Sequence, residues 1–141
     1  MYSTDVEKAR RFAEKVHANQ VDKSGMPYIE HLERVARRVD TDAARVVAWL
    51  HDTVEDTAVT PAQIAELFGP ATAEAVRCMT HGADEPYEAY LIRAKSNPVS
   101  RAVKISDLID NSNLSRLPVV SLRDVERQAK YNRALRFMLE D

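Results

Sequence analysis

Apolar residues recur along most of this chain at intervals of three and four, the spacing that gathers them on one face of an α-helix. Val6, Ala9, Phe12, Ala13 and Val16 do so over Asp5 to Ala18, with Ser3, Thr4 and Asp5 as candidate N-caps. Ile29, Leu32, Val35, Ala36 and Val39 predict a second helix from Tyr28 to Val39, and between the two the polar stretch Asn19 to Pro27, holding Ser24-Gly25, reads as a loop. A third helix starts from the caps Asp40-Thr41-Asp42, runs through the apolar Val46-Val47-Ala48-Trp49-Leu50 and is expected to end near Glu55. Thr60 caps a short helix with Pro61 at its first position, and Gly69-Pro70 stops it.

Further helices are expected from Ala71 to Thr80, from Tyr87 to Ser96, and from Asn97-Pro98 through Asp107 and Leu108. His81 to Pro86 and Asn111 to Pro118 read as irregular. Ser121 caps a last amphipathic helix whose apolar positions are Leu122, Val125, Ala129, Leu135 and Leu139. No segment alternates with a period of two. The pattern predicts an all-α fold, a bundle of short helices packed around the third, in a single domain over residues 1–141.

Composition narrows the function classes. A chain of 141 residues is long enough for one core, and 45% hydrophobic with 30% charged residues is an ordinary soluble balance. The net charge of −2 supplies no basic field, so nucleic acid is not the expected partner. A site for a small anion would depend on a metal and on local Lys or Arg. Cys78 is the only cysteine, which rules out an intrachain disulfide and fits a reducing compartment. No apolar stretch approaches the roughly 20 residues that span a bilayer, and the first residues lack a basic region followed by an apolar one. The expectation is a cytoplasmic protein with no membrane partner. Arg123, Arg127, Arg133 and Arg136 alternate with acids on the last helix, a solvated or self-association face that leaves a homo-oligomer open.

The candidate chemistry is concentrated in His51-Asp52-Thr53-Val54-Glu55-Asp56, directly after the apolar run of the third helix. On a continuous helix His51 stacks over Glu55 and Asp52 over Asp56. His31 upstream and Asp107 downstream lie in apolar helical contexts of their own. Two imidazoles and two carboxylates make a mixed N/O set suited to Mn, Fe, Zn or Co, whereas a structural zinc would draw on more cysteine. Each residue also has an ordinary reading. A lone histidine at a helix edge is more often a hydrogen-bonded side chain, and Asp107 also reads as a helix-ending acid. Acids near a helix C-terminus, such as Glu55 and Asp56, oppose its dipole, which favours a functional reason for them.

Three blocks together resemble a known family. Lys23-Ser24-Gly25-Met26-Pro27-Tyr28-Ile29-Glu30-His31, His51 through Thr57, and Lys104-Ile105-Ser106-Asp107 with Asn111 are similar, in order and spacing, to the motifs of the HD phosphohydrolase superfamily, in particular the RelA/SpoT-type hydrolase domain. The resemblance runs from Val6 to Leu117 and implies a helical fold with one Mn ion held by His31, His51, Asp52 and Asp107. It implies that Glu55 and Asp56 position or activate the attacking water, and that Lys23 and Asn111 contact a nucleotide substrate. The implied reaction removes pyrophosphate from the 3′ position of (p)ppGpp, as in small alarmone hydrolases.

Two departures shape that expectation. Asp22 stands where the family usually has Arg, and Asp107-Leu108-Ile109-Asp110-Asn111 stands where it often reads D-R-L-H-N. The site thereby loses cations, which keeps open an HD phosphatase acting on NADPH, a nucleoside monophosphate or another nucleotide, and also a non-catalytic metal- or nucleotide-binding module. His17 reads as structural, His81 as exposed in a loop, Trp49 and Cys78 as core, and Tyr87 with Tyr90 as half-buried packing.

Overall fold

The computed structural model describes residues 4–141. Its helices are α1 (Thr4–Val16), α2 (Ile29–Arg37), α3 (Asp42–Leu50), α4 (Thr53–Asp56), α5 (Pro61–Phe68), α6 (Pro70–Cys78), α7 (Tyr87–Ser96), α8 (Pro98–Asn111) and α9 (Leu122–Leu139). The fold is all-α, as the spacing predicts, and the only strand-like pairing among the described residues is an isolated bridge between Val21 and Pro27. No helix is long and apolar enough to cross a membrane among those residues.

Local chemistry explains most of the boundaries. The Thr41 side chain accepts from the Ala44 amide and starts α3. Thr60 and Gln63 form a reciprocal capping box with Pro61 at the first position of α5, and Ser121 with Asp124 does the same for α9. Asn97 accepts from the amides of Val99 and Ser100 at the head of α8. Gly69 joins α5 to α6 at φ +94°, a conformation that side chains with a Cβ rarely adopt. The cap expected at Ser3 lies outside the described residues.

The apolar run of α3 is buried along its whole length, from Val46 to Leu50, and α3 packs against α1, α2, α6 and α8. Val6, Ala9 and Ala13 of α1, Leu32 and Val35 of α2, Ile64 of α5, Val76 of α6 and Val103 of α8 close the main core around it. A second cluster joins Tyr90, Leu91 and Ala94 of α7, Leu108 of α8 and Ala134 and Met138 of α9. Because α8 contributes to both, it ties the two clusters together.

The structure corrects three expectations. First, the third helix does not run on to Glu55. It ends at Leu50, and α4 is a separate turn entered through Asp52 at φ −101°, ψ 1°. His51 Nδ1–H donates to the Ala48 carbonyl and the Thr53 hydroxyl to the Leu50 carbonyl, so two carbonyls at the end of α3 are taken by side chains. Second, α8 continues past Leu108 to Asn111, which puts Asn111 one turn beyond Asp107. Third, α9 does not bury the predicted face. Leu122, Val125, Ala129 and Leu139 are exposed, Leu135 alone of the predicted positions packs on the second cluster, and Ala134 and Met138 are buried beside it, because only the later part of α9 lies on α7 and α8.

Ile64→Ala is expected to lower the unfolding free energy by about 3 kcal/mol, whereas Leu122→Ala should change it by less than about 0.5 kcal/mol. Urea titrations of the two variants measure the contrast. A large loss at Leu122 would contradict the face of α9 described above.

Candidate functional site

Three helix segments converge on one carboxylate. Asp107 is buried on α8, and its Oδ1 lies 3.0 Å from His31 Nε2 on α2 and 3.3 Å from His51 Nε2 at the end of α3. Asp52 Oδ2 lies 3.2 Å from the same His51 nitrogen. His31, His51 and Asp52 each present a potential ligand atom, all within 4.8 Å of one another. The four residues singled out as a metal set are thus brought together, although they come from three places in the chain.

The far sides of both imidazoles are also held. His31 Nδ1 faces Asp110 Oδ2 at 2.6 Å, and His51 Nδ1–H donates to the Ala48 carbonyl at 2.7 Å. In a neutral ring such a partner takes the Nδ1 proton and would leave the Nε2 lone pair facing inward, the tautomer a metal requires. Two imidazole nitrogens backed by hydrogen-bond acceptors, with carboxylate oxygens beside them, fit a divalent cation. His31, expected at the edge of its helix face, is buried.

Charges surround the cluster in layers. Lys104 Nζ donates to Asp107 Oδ2 at 3.0 Å, and Asn111 Nδ2 donates to Oδ1 at 3.2 Å. Asp110 is fully buried and accepts from Arg34 Nε at 2.8 Å and from Arg38 at 3.2 Å, with Arg116 at 3.4 Å. The Tyr28 hydroxyl donates to Asp52. The sequence gives Asp110, Lys104 and Tyr28 no role in the site, although each stands within one of the motif segments. Asp110 carried a signal, since it follows Asp107 by three residues and therefore shares its helix face.

The same surroundings divide the acids. Burial opposes ionisation of Asp107, but the ammonium of Lys104 and the hydrogen bonds of both histidines hold it well below the usual carboxylate range. Burial likewise opposes ionisation of Asp52, and His51 outweighs it and brings Asp52 down to about 2. Asp110 is lowered by His31 and Arg34 against the same burial cost. Glu55 and Asp56 go the other way. Burial raises Glu55 despite the His81 amide at 2.9 Å, and burial together with the charge of Asp52 raises Asp56 despite a 3.3 Å hydrogen bond from Gln20.

Two cavities border this centre. One of about 260 Å³ is lined by Asp52, Glu55, Asp56, Lys104, Asp107 and the rings of His81, Tyr87 and Tyr90. The other, about 420 Å³, is lined by Lys23, Arg34, Arg116, Arg127 and His31. Tyr28, Asn111 and Tyr131 border both. Lys23 and Asn111, predicted to contact substrate, therefore share the larger cavity. His81 is only half-exposed: its ring stacks on Tyr90 with centroids 4.8 Å apart, and its Nε2–H donates to the Glu85 carbonyl. Asp22 uses Oδ1 to accept from the Ser24 amide and hydroxyl and from the Met26 amide, so this acid is spent on shaping the loop.

Without metal, His31 is pushed up to about 9, because its bonds to Asp107 and Asp110 outweigh a burial cost that favours the neutral ring. A raised histidine stabilises the folded state fully below its ordinary value of 6.5, and that contribution is lost as pH rises through about 9. Chelator-treated protein should therefore be less stable to urea at pH 9.5 than at pH 6.5, roughly in line with that linkage. Equal midpoints at the two pH values would contradict the His31 environment.

Residues 9–104 match a family model described as HD domain. A guanosine-3′,5′-bis(diphosphate) 3′-pyrophosphohydrolase of Aquifex aeolicus is 31% identical over 122 residues, which are 78% of this chain and 18% of that protein. A probable enzyme of the same name from Synechocystis is 36% identical over 136 residues, covering 84% of this chain and 18% of that protein. The chain thus spans about a fifth of the length of these curated relatives. A solved structure described as a metazoan ortholog of SpoT that hydrolyzes ppGpp shares the fold, with a TM-score of 0.80 at 20% identity over 99% of this chain and 88% of that one.

Proposed function

From the premise that the chain belongs to the HD domain family, we propose that it is a metal-dependent phosphohydrolase whose substrate is (p)ppGpp, from which it removes the 3′ pyrophosphate. The convergence of His31, His51 and Asp52 on Asp107, open to a cavity that holds Glu55 and Asp56, carries this reading. The names of the bacterial relatives support the substrate class.

In this reading His31, His51, Asp52 and Asp107 hold one divalent ion, most simply Mn. When bound, that ion supplies positive charge against the phosphoryl oxygens and increases the acidity of nearby water. Asp110 and the Ala48 carbonyl keep the two rings oriented toward it. Glu55 or Asp56 takes the proton of the attacking water, a task for which a carboxylate of raised pKa is suited. Lys104 and Lys130 line the same cavity and offset the charge of the pyrophosphate. Lys23 and Asn111, with Arg34, Arg116 and Arg127, hold the remainder of the nucleotide in the larger cavity, where the ring of Tyr131 is available to stack. We read residues 1–141 as one such domain in a reducing, cytoplasmic setting, in keeping with the buried free thiol of Cys78.

A second reading keeps the chemistry and changes the substrate to NADPH, a nucleoside monophosphate or another nucleotide. The observation that favours it is Asp22, which contributes no cation to the larger cavity. Release of pyrophosphate from ppGpp by Mn-loaded protein establishes the first reading; phosphate from NADPH or a monophosphate, with ppGpp untouched, establishes the second.

Asp52→Ala should abolish Mn binding, read by calorimetry, together with turnover. Glu55→Gln should keep Mn affinity while kcat drops by about 10²–10³. Full turnover in Asp52→Ala would remove the proposed ion site.

A further inference from the structure

His17, read from the sequence as structural, belongs to a hydrogen-bond chain that ends at the site. It is buried just past the end of α1. Its Nδ1 is 2.7 Å from Gln20 Oε1, and Gln20 Nε2 is 3.3 Å from Asp56 Oδ2. The direction of the chain is fixed by charge. A carboxylate accepts only, so the Gln20 amide must present its NH₂ to Asp56 and its oxygen to His17. An amide oxygen also accepts only, so His17 must carry its proton on Nδ1.

That tautomer leaves a cost that packing alone does not explain. His17 Nε2 is buried and has no hydrogen-bond partner among the described residues. Its ring centroid lies 5.3 Å from that of Tyr28, a neighbour that an apolar aromatic ring would suit at least as well. A buried unsatisfied nitrogen costs free energy, and its retention calls for a reason other than core packing. The backbone around it is equally defined. Gln20 N–H donates to the His17 carbonyl at 2.9 Å, and Tyr28 N–H donates to the Gln20 carbonyl at 2.9 Å. The segment that carries Gln20 to Asp56 therefore also carries Tyr28 to Asp52.

We propose that His17 and Gln20 are positioning residues: His17 orients the Gln20 amide, and Gln20 holds the Asp56 carboxylate at the mouth of the cavity that receives the scissile group. The proposal rests on the reading of Asp56 as one of the two acids that handle the attacking water. His17 lines neither cavity, whereas Gln20 also borders the larger one, so the positioning role is read from kcat, with KM as the check on direct contact. Small losses of orientation at a reacting group are expensive in rate, so the effect falls on kcat and not on binding.

The test uses the full Mn-loaded chain with Gln20→Ala, His17→Phe and His17→Asn. Both Gln20→Ala and His17→Phe should lower kcat for pyrophosphate release from ppGpp by about tenfold, with KM and Mn affinity unchanged. His17→Phe should melt no lower than the parent. His17→Asn, whose side-chain amide places an N–H donor near the position of Nδ1, should restore most of the lost kcat. Unchanged kcat in Gln20→Ala, or a parallel fall in melting temperature and Mn affinity in His17→Phe with no rescue by His17→Asn, would overturn the proposal. A parent protein that releases no pyrophosphate from ppGpp defeats the substrate reading instead, and NMR then decides this one. An Nδ1–H tautomer at His17, with an Asp56 carboxyl carbon signal that moves in Gln20→Ala, supports the chain; an Nε2–H tautomer or an unmoved Asp56 signal overturns it.

Discussion

A buried carboxylate cannot remain charged without compensation, and Asp107 draws its compensation from three separate stretches of chain. His31 reaches it from α2, His51 from the end of α3, and Lys104 and Asn111 from its own helix. These contacts exist only because α2, α3 and α8 pack mutually against one another. The apolar run of α3 therefore has two consequences. It forms the middle of the main core, and it ends at His51 and Asp52, beside Asp107.

The break after Leu50 follows from the same economy of polar groups. His51 turns Nδ1 back to a carbonyl of its own helix, which stops the helix and frees Nε2 to face Asp107. With α4 set off as a separate turn, Glu55 is reached by the His81 amide and Asp56 by Gln20, while Asp52 is met by Tyr28. The five neighbouring acids thereby fall into two groups. Asp52, Asp107 and Asp110 are held charged by cations and imidazoles, and Glu55 and Asp56 are raised by burial. Environments that drive carboxylates apart in this way separate charge-holding roles from proton-handling ones.

The centre of the site was legible because its residues carry chemistry that apolar helices do not otherwise need. His31, His51, Asp52 and Asp107 stand out in apolar contexts; Glu55 and Asp56 stand out as acids expected at a helix C-terminus, although the break at Leu50 places them in the first turn of α4 instead. Lys23 and Asn111 were recognisable only through family resemblance, and they border the larger cavity. Tyr28 and Lys104 lie inside the family blocks and Asp110 in a departure from them, but the sequence assigns none of the three a role in the site. An acid surrounded by Arg34, Arg38 and Arg116 looks, in one dimension, like any surface acid, because the arginines come from other parts of the chain. The face of α9 was misjudged for a related reason. Spacing shows which residues share a face but not which part of a helix meets a neighbour, and the exposed Leu122 and Val125 lie before that part begins.

Most helices, most caps and the all-α class were determined locally, by propensity, capping groups and the 3.6-residue period, which act within a few residues. The sequence by itself also determined which residue types were available to bind an ion. The tertiary structure decided the rest: that α3 ends at Leu50, that α8 extends to Asn111, that His31 lies inside, and that Asp110 and Gln20 become partners of the site. Those outcomes depend on burial and on pairings across 36 to 79 residues of chain, where the desolvation of charged groups outweighs local preference.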